Sequence, residues 1–220
     1  MRTERLLLRR WEESDLPAFF DLYSHEDVAR WLGRHPRRAL ATPDEARERL
    51  RQWHALEQEL DPPLGRWAIV PLSCSPQQRQ PTGTIPLLPV TDPSGPTGQI
   101  EVGWHLHPRH QGQGLVTEAV TAIPAAAAKA GIEQVIALTD PDNIPSQAVA
   151  ARLGMRDEGI TQRWYGLTSR QHHKVIAGIN SGYGDWPRAM RSVVRMMVQP
   201  SAGWPGAGWP RAGLARGAWP

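Results

Sequence analysis

Two glycines separated by one residue, Gly112 and Gly114, stand between a short apolar run and a segment with a helical pattern. Glycine adopts left-handed backbone conformations that other residues avoid, so the chain can fold back there and direct several N–H groups toward one point. The start of the following helix adds a partial positive charge and unpaired N–H groups. These features predict an anion site, and Arg109 can supply a charged hydrogen bond.

The spacing of the glycines limits which nucleotide the anion site would bind. A dinucleotide fingerprint of the form G-x-G-x-x-G needs a glycine at position 117, which is threonine in this chain. A P-loop needs glycine followed by lysine and then serine or threonine, and this sequence is absent from the segment. We therefore expect the pyrophosphate of a different ligand.

The apolar run before the glycines, Ile100 to Leu106, contains two side chains that could transfer protons. Strand alternation puts Glu101 and His105 on one face. A carboxylate on an internal strand is costly unless it is paired or used, so Glu101 is a candidate general base, with a structural ion pair as the alternative. His105 is a second candidate, because its ordinary pKa suits a proton relay. His107 shares that face, but no further ligand cluster accompanies it, and we expect no metal.

The elements that would hold these residues alternate between strand and helix patterns. Thr3 to Trp11 is typical of a strand, and Ser14 is expected to cap the helix after it. Thr42 is expected to cap a second, longer helix. Two short β runs, Arg66–Leu72 and Thr82–Val90, predict a hairpin.

Two later segments complete the predicted domain. Pro124 falls inside the helix expected to begin at Leu115, and proline removes one backbone hydrogen bond, so we expect this helix to kink or end there. Trp164 to Ile176 is expected to form the closing hairpin.

Composition separates a body, residues 1–178, from a tail, residues 179–220. The 220 residues, 40% of them hydrophobic, suit one domain with an appendage. The tail is rich in Gly, Pro, Trp and Arg and repeats Trp-Pro units, so we expect it to be disordered or loosely packed. Its five arginines and one aspartate give a net +4, which leaves −1 for the body out of the total of +3. We therefore expect no nucleic-acid binding by the body.

The redox state and location follow from what the sequence contains. Cys74 is the single cysteine, so an intrachain disulfide is impossible. No window approaches the apolar length of a membrane span, and the first residues lack the apolar core of a signal peptide. We expect a cytoplasmic protein without membrane contacts.

Four segments resemble the GNAT superfamily of N-acetyltransferases, and in particular its ribosomal-protein (Rim-type) branch. They are TERLLLRRWEESD, IEVGWHLHP, RHQGQGLVTEA and PDNIPSQAVAARLGM. The resemblance extends over about residues 2–178. The resemblance implies an α/β fold with a mixed, mostly antiparallel central sheet and flanking helices. It also implies a splayed parallel strand pair, Ile100–Leu106 with Gln134–Leu138, that accommodates the cofactor.

The resemblance further implies acetyl transfer from acetyl-CoA to a primary amine, directly in a ternary complex, with Glu101 as the base. The pyrophosphate would lie on backbone N–H groups of residues 111–115, and Asn143 would bond the pantetheine amides. Ser146 is equally well explained as an ordinary first-turn serine. The implied cosubstrate contacts are Leu106, whose N–H would meet the thioester oxygen, Arg109, Gln111, Gly112, Gln113, Gly114, Leu115, Asn143 and Ser146.

Departures from the family pattern keep a second interpretation open. Many members carry a tyrosine in the helix after Asn143 as the acid for the leaving thiolate, whereas this chain has Ala150 and Ala151 there. The leaving-group acid is thus unassigned. The alternative is a catalytically weak acyl-CoA-binding or protein-interaction module on the same fold, as a monomer or a homodimer.

The acceptor is not fixed by the sequence. A protein N-terminus, a free amino acid, a polyamine and an aminoglycoside all fit a generic amine site. A basic loop with four arginines would favour an acidic acceptor, or it is simply a solvated loop. These arginines are Arg30, Arg34, Arg37 and Arg38.

Overall fold

The computed structural model describes residues 1–33, 35–73, 75–92 and 95–176. The strands are β1 (Leu6–Arg10), β2 (Gly65–Pro71), β3 (Gly83–Asp92), β4 (Gly95–Val102), β5 (His105–Leu106), β6 (Gln134–Thr139), β7 (Arg156–Thr161) and β8 (Ser169–Val175). The helices are α1 (Leu16–Ser24), α2 (Glu26–Ala29), α3 (Pro43–Glu57), α4 (Leu115–Thr121), α5 (Ile123–Lys129) and α6 (Ile144–Arg152). The predicted tail and Cys74 lie outside the described residues.

All strands belong to one sheet with the order β1-β2-β3-β4-β6-β8-β7, and β5 pairs with β3. Every pairing is antiparallel except that of β4 with β6, which is parallel. The parallel pair has a single registered partnership, Glu101 opposite Ile136. The strands therefore diverge on either side of this point, which confirms the predicted mixed sheet with a splayed parallel pair.

The two faces of the sheet bury different cores. One core contains residues of α4, α5 and the inward residues of the strands, among them Ile100 and Val102 of β4. The other core lies under α1 and α3 and contains Phe19, Tyr23 and Leu50. Because side chains alternate along a strand, the residues between the apolar positions of β4 face α1 and α3. The sheet thereby separates α4 from the face that carries Glu101.

The break in the strand before the glycines does not disturb this alternation. Gly103 donates its N–H to Pro86 at 2.9 Å, and its missing side chain allows the close approach, since a Cβ there would lie 2.9 Å from the Pro86 ring. Glu101 lies opposite Leu88, and His105 lies opposite Thr84, four residues away on β3. Both side chains are therefore on one face, as the alternation predicted.

Helix starts are partly as expected. Thr42 accepts a hydrogen bond from the N–H of Glu45 at 3.2 Å and so caps α3, which confirms that prediction. The prediction for Ser14 is wrong. A 3-10 turn, Glu13–Asp15, precedes α1, and the side chain of Asp15 accepts from the N–H of Glu12 at 2.9 Å. Asp15 occupies the N-cap position of α1, but its carboxylate makes no hydrogen bond to the first turn of that helix and pairs with Arg9 of β1 at 2.5 Å.

Pro124 divides the helix that begins at Leu115. The helix α4 ends at Thr121, and α5 begins at Ile123 with the proline in its first turn. Proline is tolerated there because the first N–H groups of a helix lack intrahelical partners in any case. The predicted interruption is confirmed, and the first turn of α4 is unaffected by it. Within the described residues, no helix is both long enough and apolar enough to cross a membrane.

Candidate active site

The two glycines form a turn that opens onto the start of α4. Gly112 has φ +76° and Gly114 has φ +74°, and a Cβ on Gly112 would meet no other atom within 4 Å. Glycine is needed there for its backbone conformation and not for space. The first helical hydrogen bond runs from the N–H of Glu118 to the carbonyl of Gly114 at 3.0 Å. The N–H groups of residues 115–117 precede it and are available to an anion.

The side chains around this turn leave it accessible. Gln111, Gly112, Gln113 and Gly114 are exposed, and Leu115 is buried and anchors the helix. The N–H of Gln111 is bonded within the protein, to the carbonyl of Pro108 at 3.2 Å. The turn therefore offers the anion its later N–H groups, from position 112 onward.

Arg109 lies on the rim of this turn. It belongs to a 3-10 turn, Pro108–His110, and its side chain is exposed. It borders a cavity of about 500 Å³ that also touches Asp21, His107 and His110. A guanidinium in this position can approach an anion held by the glycine turn.

A buttress behind the turn fixes the position of α4. Glu118 accepts hydrogen bonds from the hydroxyl of Thr3 at 2.5 Å, the N–H of Arg5 at 2.9 Å and the Nε of Arg5 at 2.6 Å. Arg5 also donates to the carbonyl of Gln113 at 3.1 Å. The beginning of the chain thus holds the glycine turn against the sheet. Sequence reasoning missed this contact, which joins residues more than 100 positions apart.

The divergence of β4 and β6 leaves backbone groups free to meet an extended ligand. Gly103 donates its N–H to Pro86, and His107 donates to Thr82 at 2.8 Å, so both N–H groups point toward β3. Successive N–H groups on a strand point in opposite directions, so that of Leu106 points away from β3, toward the gap beside β6. The N–H of Leu106 could therefore donate to a ligand in this gap.

Asn143 and Ser146 are at the start of α6, directly after β6. Asn143 is buried, and its Oδ1 accepts from the N–H of Ser146 at 3.2 Å. The amide group of Asn143 still has its Nδ2 donor for a ligand. Ser146 is partly buried in the first helical turn, a position that serine commonly occupies. Both residues lie at the same end of the parallel pair as the glycine turn.

Glu101 forms a hydrogen-bonded pair with a residue that the sequence analysis did not select. The hydroxyl of Tyr165 donates to Oε2 of Glu101 at 2.8 Å. Burial raises the pKa of Glu101 to about 7, and the hydrogen bond from Tyr165 opposes that rise. Burial raises the pKa of Tyr165, and the charge of Glu101 raises it further, so the phenol keeps its proton. A carboxylate that titrates near neutral pH can accept a proton under physiological conditions.

The turn between β7 and β8 places Tyr165 beside Glu101. The carbonyl of Trp164 accepts from the N–H of Leu167 at 3.0 Å, and the two residues between them have positive φ, 54° for Tyr165 and 66° for Gly166. Two positive φ values are typical of a type I′ hairpin turn. A closing hairpin is present, but the predicted range Trp164 to Ile176 contains only its turn and β8, because the first strand, β7, is Arg156–Thr161. The tyrosine could have been noticed as a non-glycine residue in a turn, but no motif connects it with Glu101.

His105 belongs to a separate chain of hydrogen bonds. Its Nδ1 lies 2.9 Å from the hydroxyl of Tyr23, which lies 2.8 Å from Oγ1 of Thr84, and Trp11 donates to that same Oγ1 at 3.2 Å. All hydroxyl hydrogens have acceptors if Thr84 donates to Tyr23 and Tyr23 donates to His105. The ring hydrogen of His105 is then on Nε2. Burial lowers the pKa of His105 to about 4, and the charges of Arg66 and Arg49 lower it further, so the ring is neutral.

A second group of titratable side chains, Asp21, His25 and His107, has ligand atoms within 4.8 Å of one another. Nδ1 of His107 accepts from the N–H of Arg109 at 3.1 Å, which puts the ring hydrogen on Nε2. Nε2 lies 3.2 Å from Oδ2 of Asp21. A protonated nitrogen cannot ligate a metal, so this arrangement does not favour a metal site. Burial lowers the pKa of His107, which favours the neutral ring beside Asp21. His105 takes no part in this group, since it is bonded to Tyr23.

The fold agrees with the comparisons with known proteins. The acetyltransferase (GNAT) domain family matches residues 5–156. The chain belongs to this family, which confirms the resemblance noted in the sequence.

Two relatives and one solved structure illustrate the likeness. YnaD of Bacillus subtilis, described as an uncharacterized N-acetyltransferase, is 38% identical over 64 residues, which are 29% of this chain and 38% of that protein. YoaA of the same organism, with the same description, is 23% identical over 166 residues, 74% of this chain and 86% of that protein. RimL, a ribosomal L7/L12 alpha-N-protein acetyltransferase in complex with coenzyme A, has a TM-score of 0.61 and 19% identity, covering 79% of this chain and 95% of that one.

Proposed function

We propose that the protein transfers an acetyl group directly from acetyl-CoA to a primary amine, with Glu101 as the general base. The observation that carries this proposal is the Glu101–Tyr165 pair, a carboxylate with a pKa of about 7 on the strand beside the splayed gap. Membership in the acetyltransferase family and the likeness to a CoA-bound acetyltransferase support the choice of cosubstrate.

The described residues fit acetyl-CoA at three points. The exposed turn at Gly112 and Gly114, with the first N–H groups of α4, suits a pyrophosphate. The gap between β4 and β6 exposes strand backbone to an extended arm, and Asn143 offers its side-chain amide at the edge of this gap. When bound, acetyl-CoA supplies an activated acetyl thioester.

One side chain and one backbone N–H of this site then perform two tasks. An amine is mostly protonated near pH 7, so a base must remove a proton before or during attack. Tyr165 occupies Oε2 of Glu101, which leaves Oε1 to accept the amine proton. The N–H of Leu106 is directed toward the gap and would stabilise negative charge that develops on the carbonyl oxygen. Tyr165 is a positioning residue that holds the carboxylate and moderates its pKa.

The absence of a tyrosine from α6 raises the question of how the thiolate of CoA leaves. The helix α6 has alanine where many family members have tyrosine, but a neutral phenol is present in the site from the β7–β8 turn. A thiol is a far stronger acid than an alcohol, with a pKa of about 8.5 for the cysteine side chain, so a thiolate leaves with little assistance. We infer that the reaction does not depend on an acid in α6.

The test is release of free thiol from acetyl-CoA by the full chain with a panel of N-terminal peptides, amino acids, polyamines and aminoglycosides. We expect turnover with one class of amine, and a loss of about a hundredfold or more in kcat for Glu101→Gln, the typical effect of removing a general base. Glu59→Gln, which changes an exposed carboxylate after α3, is the matched control and should retain full activity. Tight CoA binding without turnover of any amine would favour the binding-module alternative.

Several finer points stay predictions from the sequence. They are the domain boundary at residue 178, the cytoplasmic location, the monomeric or homodimeric state and the absence of nucleic-acid binding by the body.

A further inference from the structure

The arginines expected to steer an acidic acceptor are mostly neutralised by partners. Arg30 pairs with Asp27 at 3.3 Å, and Arg38 pairs with Glu45 at 2.9 Å. Arg37 is largely buried and pairs with Asp140 at 2.6 Å. Arg34 lies outside the described residues. The described arginines of this loop therefore offer little free charge for recognition of an acceptor.

Two other arginines, Arg49 of α3 and Arg66 of β2, combine partial burial with incomplete neutralisation. Within the described part of the chain, Arg49 has no ion-pair partner. Arg66 has an exposed side-chain fraction of only 12%, and its Nη1 is buried without a hydrogen-bond acceptor. Burial lowers the pKa of each guanidinium. Both remain charged at neutral pH, because an arginine begins from a pKa above 12.

The nearby carboxylates do not balance these charges. Glu57 lies 3.6 Å from Nη1 of Arg66 but is shared with Arg10, whose Nη1 is 3.3 Å away. Glu45, which faces Arg49 from the start of the same helix, is already paired with Arg38. A half-buried excess of positive charge is costly unless an anion joins it.

The position of the two arginines relates them to the proposed base. Arg49 lies four residues before Trp53 on α3, so these two side chains share a helix face, and the Trp53 ring is 4.7 Å from the guanidinium of Arg66. Arg66 lies opposite Pro86 of β3, and Glu101 lies opposite Leu88, two residues further along the same strand. Two strand spacings and two residues put the Cα atoms of Arg66 and Glu101 roughly 12 Å apart on one face of the sheet. This separation suits an acceptor the size of an amino acid or of the first two residues of a peptide.

We propose that Arg49 and Arg66 bind a carboxylate of the amine acceptor while its amino group lies at Glu101. This inference rests on the proposed acetyl transfer and narrows its acceptors to amines that carry a nearby carboxylate. The ring of Trp53, 4.7 Å below the guanidinium of Arg66, holds that group in place between the sheet and α3. The carboxylate belongs to an acidic side chain near a peptide N-terminus or to the α-carboxylate of a free amino acid.

The first measurement compares acceptors that differ only in the carboxylate. The full chain with acetyl-CoA is assayed with seryl-aspartyl-alanine amide against seryl-asparaginyl-alanine amide, and with serine against serinamide. We expect kcat/KM to favour the acid of one pair by about tenfold or more, as a charge-assisted hydrogen bond typically provides. The pair that discriminates identifies the source of the carboxylate. Equal rates for the acid and the amide in both pairs would overturn the proposal.

Three variants assign the preference to the arginines. Arg49→Met and Arg66→Met should lower the acid-to-amide ratio toward one. Arg47→Met is the matched control, because Arg47 is exposed on the same helix and pairs with Asp44. It should keep the full ratio. Removing Arg49 leaves no other charge without a partner. If circular dichroism shows that Arg66→Met does not fold, Arg49→Met decides the question.

A binding measurement separates this proposal from the proposed function. Calorimetry measures the affinity of the same four compounds for the protein saturated with CoA. If no amine is acetylated but the acid binds at least tenfold more tightly than the amide in an Arg49-dependent way, the carboxylate site stands and the acetyl transfer fails. If amines are acetylated but acid and amide bind equally well, the transfer stands and the carboxylate site is refuted.

Discussion

Replacing Tyr165 with phenylalanine should shift the pH dependence of the reaction in a calculable direction. The variant keeps the ring and removes the hydroxyl that donates to Oε2 of Glu101 at 2.8 Å. That hydrogen bond stabilises the charged carboxylate, so its loss must raise the pKa of Glu101 further above the value of about 7 in the wild type.

The size of the shift follows from the strength of the lost bond. A hydrogen bond to a charged group contributes about 1.5–3 kcal/mol, and one pKa unit corresponds to about 1.4 kcal/mol. The acidic limb of the rate profile should therefore move upward by about one to two units. At pH 7 the ionised fraction of Glu101 would fall from about one half to about one tenth for a shift of one unit, which predicts a rate about fivefold lower that recovers above pH 9.

The assay measures initial rates of thiol release at saturating acetyl-CoA from pH 5.5 to 9.5 for both proteins with the same acceptor. Ionisation of the acceptor amine also shapes the profile, but it does so equally in both proteins, so the difference reports on Glu101. An acidic limb at the same pH in the variant, with a rate that is lower at every pH, would show that Tyr165 supports the fold of the site without acting on the carboxylate.

Three further predictions concern the glycine turn, the contacts of Glu118 behind it, and the tail. Gly112→Val should weaken CoA binding about tenfold in calorimetry, because a side chain at φ +76° costs about 1–2 kcal/mol, whereas Gly159→Val, with φ +83° in β7, should not affect it. Burial raises the pKa of Glu118, but the hydrogen bonds from Thr3 and Arg5 outweigh burial, so the pKa is lowered. Glu118→Gln should therefore reduce the free energy of unfolding by about 1 kcal/mol at pH 7, as measured by urea titration. Its effect should decrease as the pH falls through the lowered pKa; an effect that stays constant as the pH is lowered far below the ordinary carboxyl value of 4.5 would contradict the ion pair. Truncation after Gly178 should leave CoA affinity unchanged, and a chain that no longer folds would move the domain boundary.

The sequence was sufficient for those features that depend on local backbone geometry. The spacing of Gly112 and Gly114 predicted a turn with left-handed residues, because glycine alone enters that conformation without strain, and both have positive φ. Strand alternation placed Glu101 and His105 on one face without knowledge of the neighbouring strands. Pro124 predicted an interruption because its ring and missing N–H act within one helical turn.

Features that depend on distant contacts could not be predicted in this way. The bond between Tyr165 and Glu101 joins residues 64 positions apart, and the ion pair of Arg37 with Asp140 joins residues 103 positions apart. Arg37 therefore looked like a free cation in the sequence, although its charge is used inside the fold. The capping prediction at Ser14 was wrong for a related reason, since the arginine that recruits the neighbouring carboxylate comes from β1.

The conformation of Tyr165 argues that this residue serves the site and not only the hairpin. A type I′ turn with φ +54° at its first central residue is best made by asparagine, aspartate or glycine, and a tyrosine there costs roughly 1–2 kcal/mol. The turn tolerates this strain because Trp164, which precedes the tyrosine, is buried against Val90 and Ile136 and donates to Gln171 at 2.6 Å. Glycine would relieve the strain but would leave the carboxylate of Glu101 without its donor. Strained residues held by their surroundings are commonly found at functional sites, and the hydroxyl at 2.8 Å from the proposed base is what the strain maintains.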